Sequence, residues 1–177
     1  MAQALFLNWY GTFAENDTSL RELVKLQYPC ITLHCDVTKL DASLLLAEFS
    51  ASKAHRILLG VGPPCQPWSS LGELGGFSDP RANVLAHVAS VIKDLGQKCK
   101  ALNIPFDWFL EETFMSKEHR KCVSELLECS PTVVHAADFG HVSRSRLIWG
   151  LPASFKPIDA QMELFIPGTA YEDGANG

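Results

Sequence analysis

The run Gly62-Pro63-Pro64-Cys65-Gln66-Pro67-Trp68-Ser69-Ser70 is the part of this sequence best suited to chemistry. It follows the apolar segment 57–61, which the residue pattern predicts to be a buried strand. Open α/β sheets bind ligands beyond the carboxyl ends of their strands, so the Cys65 thiol is expected at such a position. The two prolines before Cys65 restrict the backbone and hold the sulfur in place. Cys65 is therefore a candidate nucleophile, although a small apolar residue in a tight turn fits the same pattern.

Three carboxylates also fall just past predicted strand ends: Glu15, Asp36 and Glu111. If the strands are parallel, these ends share one edge of the sheet, and the side chains meet in one crevice. Glu15 can then accept hydrogen bonds from ribose hydroxyls, and Asp36 from the exocyclic amine of adenine. Cys65 and Glu111 would be a nucleophile and an acid on neighbouring strands. Helix capping is an alternative role for Glu15 and Asp36, and Glu111 can also be a solvated carboxylate.

The rest of the chain alternates between strand-like and helix-like segments. Hydrophobic periodicity predicts strands over 4–13, 31–35, 57–61, 105–110, 132–136 and 146–149. Helices are predicted from a cap at Asp17 or Thr18 to 27, and over 40–49, 81–102 and 117–129. The Gly-, Pro- and Ser-rich segment 62–80 is predicted to be a long, mobile loop. The order β-α-β-α-β-α-β-α-β-β favours a doubly wound α/β sheet.

Composition narrows the class of protein. A chain of 177 residues that is 47% apolar is long enough for one globular domain with a substantial core. The formal net charge of −5 gives no overall basic surface for nucleic acid, so any such contact must come from a local cluster. Six cysteines without a recognisable signal peptide predict an intracellular location. No apolar run approaches the ~20 residues of a membrane helix, so no membrane partner is expected.

Three further segments follow the run around Cys65 in a fixed order: Asp79-Pro80-Arg81-Ala82-Asn83, Leu110-Glu111-Glu112-Thr113 and Val142-Ser143-Arg144-Ser145-Arg146. With that run, they resemble motifs of the cytosine-C5 DNA methyltransferase family. The run resembles the catalytic Pro-Cys-Gln motif, and the later segments resemble the loop–helix junction, the Glu-Asn-Val motif and the Gln-x-Arg-x-Arg motif. The resemblance covers about 13–157. Pro-Cys-Gln alone would be a weak match, whereas four motifs in the family's order make a specific one.

The resemblance implies a Rossmann-like class I methyltransferase sheet and a defined chemistry. Cys65 would attack C6 of a flipped-out cytosine, and Glu111 would hydrogen-bond or protonate N3, so that C5 takes a methyl group from S-adenosylmethionine. Arg144 and Arg146 would contact the base or its phosphates and brace the loop. The substrate would be DNA, or RNA, because one branch of the family methylates RNA, and a DNA substrate implies a nuclear location in a eukaryote.

The resemblance also implies binding residues. Those expected to line the S-adenosylmethionine pocket are Glu15, Asn16, Asp36, Val37 and Pro64. Those expected to contact nucleic acid lie in or next to the loop: Gln66, Ser69, Ser70 and Arg81.

The sequence departs from the family's pattern in three respects. No Phe-x-Gly-x-Gly turn, which holds the methionine part of the cofactor, precedes Glu15, so the sheet is expected to lack its first strand and glycine-rich turn. Few residues follow the arginine motif, so no target-recognition region is expected. Glu112 replaces the family's Asn, and Val142 its Gln.

These departures predict a partial catalytic domain over 1–157, followed by an irregular tail over 158–177. Such a domain is either an active methyltransferase or a truncated or inactive remnant of one. The alternative is a non-catalytic domain that binds nucleic acid or a complementary or full-length methyltransferase chain. Unpaired strand edges, left by the missing strand, favour such an association.

Two charged positions carry alternatives of their own. Glu112 is expected at the surface or behind the site. If it and Glu111 were both buried, their like charges would raise the pKa of one of them. A structural ion pair is the alternative role for at least one of Arg144 and Arg146.

Two other kinds of site are weakly indicated. Cys30, His34 and Cys35 lack the matching second pair that a zinc site of this kind needs, so no metal is expected. A thiol enzyme of another class needs a histidine near its nucleophile. The nearest in sequence, His55 and His87, lie in no recognisable motif.

Overall fold

The computed structural model describes residues 11–52, 54–68, 75–135, 137 and 144–150. The strands in these ranges are β1 (Thr12–Ala14), β2 (Thr32–His34), β3 (Ile57–Val61), β4 (Phe106–Thr113), β5 (Thr132–His135) and β6 (Ser145–Trp149). The α-helices are α1 (Thr18–Gln27), α2 (Ala42–Ser52), α3 (Asn83–Ala101) and α4 (Lys117–Leu127). Short 3-10 turns lie at 37–39, 76–78 and 80–82. The alternation of strands and helices confirms the predicted α/β class.

The described strands form two sheets. β1 and β2 pair in parallel as one of them, and the other has the order β3-β4-β6-β5. In the larger sheet β3 and β4 are parallel, whereas β6 is antiparallel to both of its neighbours. The register places Val61 of β3 opposite Leu110 of β4. It also places Ile148 of β6 opposite Glu111, so β4 continues past the end of β3 while still paired with β6.

The core lies between α3, α4 and the larger sheet. Buried residues recur on one face of α3 at helical spacing: Leu85, Val88, Ala89, Ile92 and Leu95. The main core cluster contains the first four of these residues with Leu110, Leu147 and Trp149 of the sheet, together with Trp68 from the loop after β3. Trp108 packs against this cluster, so both tryptophans of the sheet contribute to the core. Among the described residues, no helix has the length and apolar character needed to cross a membrane.

Most element boundaries follow the hydrophobic pattern, and β4 is the informative exception. The pattern predicts a strand over 105–110 that ends before the two glutamates. Instead, β4 runs to Thr113, because β6 provides backbone partners for Glu111, Glu112 and Thr113. Successive strand residues point to opposite faces, so the two glutamates lie on different sides of the sheet. Residues 4–10 of the predicted first strand lie outside the described ranges, and β1 begins at Thr12.

No strand within the described ranges joins the two sheets. Among the described strands, β1 pairs only with β2, and β3 pairs only with β4. Parallel strands are normally covered on both faces, yet Leu58 of β3 is 61% exposed. On α1, Leu20, Leu23 and Leu26 are all exposed although they recur at helical spacing. Among the described residues, no strand pairs with both β1 and β3.

Helix α2 contacts both sheets. His34 Nε2 of β2 lies 2.8 Å from Glu48 Oε1, and the hydroxyl of Thr12 on β1 donates to Glu48 Oε2. On its apolar side, α2 carries Leu45 and Leu46, which pack in the cluster that includes residues of β3 and α3. The smaller sheet is thereby attached to the rest of the domain through α2.

Candidate active site

Cys65 lies in a turn directly after β3. Its thiol is free and exposed, whereas Pro63, Pro67 and Trp68 are buried and Pro64 is half-buried. The Trp68 N–H donates to the Cys65 carbonyl oxygen at 3.0 Å, which closes the turn. Buried neighbours therefore hold the backbone of the turn while the sulfur faces solvent, as a nucleophile requires.

Glu111 lies beside the start of this turn. β3 and β4 pair up to Val61 and Leu110, so Glu111 is the first residue of β4 beyond the end of β3. A Cβ atom placed on Gly62 would lie 3.8 Å from Glu111 Oε2. The sequence predicts the acid just past the end of its own strand. Instead it lies inside β4 and past the end of the neighbouring strand, where it still adjoins the turn that carries Cys65.

Strand β6 brings positive charge to Glu111. Arg146 Nε lies 2.5 Å from Glu111 Oε1, and Arg146 Nη1 donates to the Ser145 carbonyl oxygen at 2.8 Å. The two side chains share a face of the sheet because Arg146 is opposite Thr113, two residues from Glu111. Arg146 therefore forms an ion pair within the sheet, the alternative considered for it from the sequence. Arg144 is exposed just before β6.

Opposing effects set the proton affinity of Glu111. Burial raises the pKa of its carboxyl, and the positive charge of Arg144 acts to lower it. The ion pair with Arg146 favours the charged form. A carboxyl whose pKa lies above its ordinary value, next to positive charge, can both hold and release a proton. This is the requirement for an acid that protonates a ring nitrogen.

Glu112 is buried, so the expectation of a surface position is wrong. It is 1% exposed and shares a core face with Leu110 and Leu147, because alternate residues of β4 point the same way. Burial raises the pKa of Glu112 to about 8, and the charge of Glu111 is a smaller cause in the same direction. The Thr113 N–H donates to Glu112 Oε2 at 2.9 Å and lowers the pKa in part. Glu112 is therefore mainly protonated at neutral pH.

Glu15 stands at the carboxyl end of β1. Its N–H donates to the His34 carbonyl oxygen at 3.1 Å, and its Oε1 accepts from the Asp17 N–H at 3.0 Å. Asp17 caps α1, which settles the choice of cap between Asp17 and Thr18. Glu15 supports the turn into α1, and its Oε2 accepts no hydrogen bond within the described part of the chain. Asn16 is exposed beside it.

Asp36 stands at the corresponding end of β2. Its Oδ1 accepts from the Thr38 hydroxyl at 2.6 Å and from the Thr38 N–H at 2.9 Å. These two bonds, the hydroxyl bond first, lower the pKa of the Asp36 carboxyl. The capping alternative is correct for the short turn at 37–39, whereas Asp41 caps α2 by accepting from Leu44 N–H at 2.8 Å. Val37 packs against the main core cluster.

The residues expected to contact nucleic acid are only partly described. Gln66 is exposed next to Cys65. Ser69 and Ser70 lie outside the described ranges, as does Val142 of the arginine motif. The predicted loop 62–80 contains turns at both ends, since residues 65–68 form one turn and residues 76–82 form two 3-10 turns.

Arg81 has a structural partner that the motif does not reveal. Its Nε lies 2.9 Å from Asp79 Oδ1 and its Nη2 2.6 Å from Asp79 Oδ2, a two-point contact. The Asp79 side chain is only 6% exposed and also accepts from the Arg81 N–H. Asp followed by Pro at the start of a helical turn is a capping signal that could have identified Asp79 from the sequence. Arg81 therefore braces the second end of the loop, whatever else it contacts.

A family model provides the deciding comparison. Residues 11–102, more than half of the chain, match the C-5 cytosine-specific DNA methylase model. The chain belongs to this family. The matched segment includes the Cys65 turn and ends before β4, so Glu111 and the two arginines of the site lie beyond it. The resemblance inferred from the motifs is confirmed.

Individual methylases of the family match shorter segments. The chain is 31% identical over 70 residues to the type II methyltransferase M.FnuDI of Fusobacterium nucleatum, covering 38% of this chain and 18% of that protein. It is 30% identical over 79 residues to the Bos taurus tRNA (cytosine(38)-C(5))-methyltransferase, covering 45% of this chain and 19% of that protein. The matched segments thus span less than a fifth of either curated relative.

A solved structure confirms the fold. The structure of a protein described as a DNA modification methyltransferase encoded within an E. coli prophage matches with a TM-score of 0.56 and 21% identity. The match covers 78% of this methylase-family chain and 38% of that chain. At this identity the likeness shows the fold alone. It supports a Rossmann-like methyltransferase architecture for the described strands and helices.

Proposed function

We propose that this chain methylates C5 of cytosine in DNA, with S-adenosylmethionine as the methyl donor. The observation that carries the proposal is the position of Glu111 beside Gly62, at the start of the turn that exposes the Cys65 thiol. A nucleophile and an acid on adjoining elements can act on two atoms of one ring. Membership of the cytosine-C5 methylase family supports the same assignment.

Cys65 begins the reaction by adding its sulfur to C6 of the base. The S–C6 bond takes the electron pair of the thiolate, and the ring electrons move toward N3. A proton from Glu111 at N3 neutralises that charge and leaves C5 as an electron-rich enamine carbon. S-adenosylmethionine, when bound, supplies the methyl group that C5 receives. Loss of the C5 proton to water then restores the C5–C6 double bond and expels Cys65 as a thiolate, and N3 returns its proton to Glu111.

Arg146 orients Glu111 for this role. Its guanidinium pairs with Oε1, so Oε2 is the carboxyl oxygen next to Gly62 and the Cys65 turn. The pair also balances the charge that remains on Glu111 after its proton has moved to the base. Arg144, exposed at the same end of β6, offers a second positive group for the base oxygen or a phosphate.

The described residues fit the adenosine half of S-adenosylmethionine. Glu15 and Asp36 lie at the carboxyl ends of paired parallel strands, and each uses one carboxylate oxygen internally. The second oxygen of each can accept from ribose hydroxyls or the adenine amine. Within the described ranges, no glycine-rich turn is present to receive the methionine half.

A cofactor-independent reaction provides the test of this proposal. Addition of Cys65 to C6 allows the C5 hydrogen to exchange with water, so DNA labelled with tritium at C5 should release label without S-adenosylmethionine. The Cys65→Ala variant should release label at the background rate, because it has no nucleophile. Cys122→Ala removes another exposed thiol, on α4, and should behave as wild type. Equal release by wild type and Cys65→Ala would contradict the proposal, and release from labelled RNA alone would assign the substrate to RNA.

A second candidate function is a non-catalytic domain that binds another methyltransferase chain. The observation that favours it is the division of the described strands into two sheets, together with the exposed leucines of α1. Open strand edges and apolar helix faces are surfaces on which a partner can dock. Tight calorimetric binding to a full-length relative, combined with no C5 exchange by this chain, would favour this function over catalysis.

A further inference from the structure

The turn that carries Cys65 is held by two backbone hydrogen bonds at its base. The Trp68 N–H donates to the Cys65 carbonyl oxygen at 3.0 Å, and the Gly76 N–H donates to the Pro67 carbonyl oxygen at 2.9 Å. The second bond joins the chain before and after residues 69–74. We call Pro67, Trp68, Gly76 and Phe77 the loop neck. Any group that fixes the loop neck also fixes the backbone of Cys65.

An imidazole from α4 lies against the loop neck. Trp68 is 2% exposed, and its ring meets the rings of both Phe77 and His119 edge-to-face. The distance between ring centroids is 5.0 Å to Phe77 and 5.3 Å to His119. Edge-to-face pairs of this kind are favourable beyond their buried area. A Cβ atom placed on Gly76 would lie 2.3 Å from His119 Nε2. The imidazole therefore contacts the loop neck both before and after residues 69–74.

Gly76 is adapted to this contact. Its φ of +53° lies in the left-handed region, which glycine adopts without strain, and the lack of a side chain leaves room for the imidazole. His119 is in turn fixed by α4, whose first turn is capped by Ser116 accepting from the His119 N–H at 3.2 Å. Further along α4, Val123 is fully buried in the core cluster that also contains Trp68. A well-packed helix thus supports the ring.

We propose that His119 is a positioning residue for Cys65. Its imidazole, held in place by α4, packs against Trp68 and Gly76. This contact fixes the loop neck and, with it, the backbone of Cys65 at the edge of the sheet. His119 acts through these two residues and takes no part in bond making. This role rests on the function proposed above, because it concerns the placement of the reacting thiol.

Amide hydrogen exchange tests the contact without any chemistry on a substrate. His119→Ala is expected to speed exchange at the Trp68 and Gly76 amides by about tenfold, the scale of one lost aromatic contact. The exchange rates of the α3 amides should not change. Gly76→Ala should speed exchange at both amides at least as much, because its Cβ displaces the imidazole and a residue with a side chain is strained at a φ of +53°. His135→Ala, at an exposed site on β5, should leave both amides as in wild type.

The tritium-release assay then tests the effect on Cys65. His119→Ala should slow release by about tenfold, in step with the loss of amide protection. The positioning role is overturned if His119→Ala leaves the Trp68 and Gly76 amides as protected as in wild type, or if the α3 amides lose protection equally. It is also overturned if label is released at the full rate although the amides of the loop neck have lost protection. If the wild-type chain releases no label, the proposed function fails. Amide protection still decides whether His119 holds the loop neck.

Discussion

Replacing Glu112 with glutamine should abolish a large loss of stability that the wild-type protein shows as the pH rises. Burial raises the pKa of Glu112 from 4.5 to about 8, so the folded state binds this proton more tightly than the unfolded state. The free energy of unfolding therefore falls as the pH rises between these two values, and the full penalty is present above about 8. Each unit of pKa shift corresponds to about 1.4 kcal/mol, so the total penalty is roughly 3 to 5 kcal/mol.

Chemical denaturation at pH 5, 7 and 9 measures this effect. Glutamine keeps an oxygen that can accept from the Thr113 N–H but carries no charge, so Glu112→Gln should resemble wild type at pH 5 and be markedly more stable at pH 9. Glu22→Gln changes an exposed glutamate on α1 and should preserve the wild-type pH slope. The same slope in wild type and Glu112→Gln would show that Glu112 is not a buried titrating group.

Glu111→Gln should slow tritium release from C5-labelled DNA by about 10²- to 10⁴-fold, the usual contribution of a general acid. A glutamine can still form a hydrogen bond to N3, but it cannot give the ring a full proton. It also cannot form the ion pair with Arg146 that directs Oε2 toward Gly62. Because the Glu111 side chain is 41% exposed, the substitution should change the free energy of unfolding little.

The neighbouring residue is the matched control for this experiment. Glu112→Gln makes the same chemical change one position along β4, on the opposite face of the sheet. At pH 6, where the wild-type Glu112 is protonated, this control should release label at the wild-type rate. A Glu111→Gln variant as active as the control would remove Glu111 from the chemistry and leave Cys65 to act with another acid.

Elements with a strong local pattern were predictable from the sequence. The strand over 57–61 has the predicted bounds, because a short apolar run after a helix and before Gly-Pro-Pro has few other interpretations. The bounds of β4 were not predictable in the same way. Its last residues are polar, and they belong to the strand only because β6 pairs with them across about 35 intervening residues. Pairing between distant segments overrides local propensity.

The residues of the candidate site likewise differ in whether a local sequence pattern identifies them. Cys65 and Glu111 are recognisable because their motifs combine a rare residue order with a position next to a strand end. The burial of Glu112 follows from the length and register of β4, which no local pattern discloses. The role of His119 depends on packing against a glycine 43 positions earlier in the chain, so the sequence offered no signal for it.

Trapping Cys65 on its substrate tests most directly whether this thiol is the nucleophile. DNA that contains 5-fluorocytosine, incubated with this chain and labelled S-adenosylmethionine, has no C5 proton to lose, so the bond between sulfur and C6 should persist. A stable protein–DNA adduct is expected, which maps to the peptide with Cys65 and is absent from Cys65→Ala. Binding of the cofactor and DNA without any adduct, or an adduct on a different cysteine, would contradict that role.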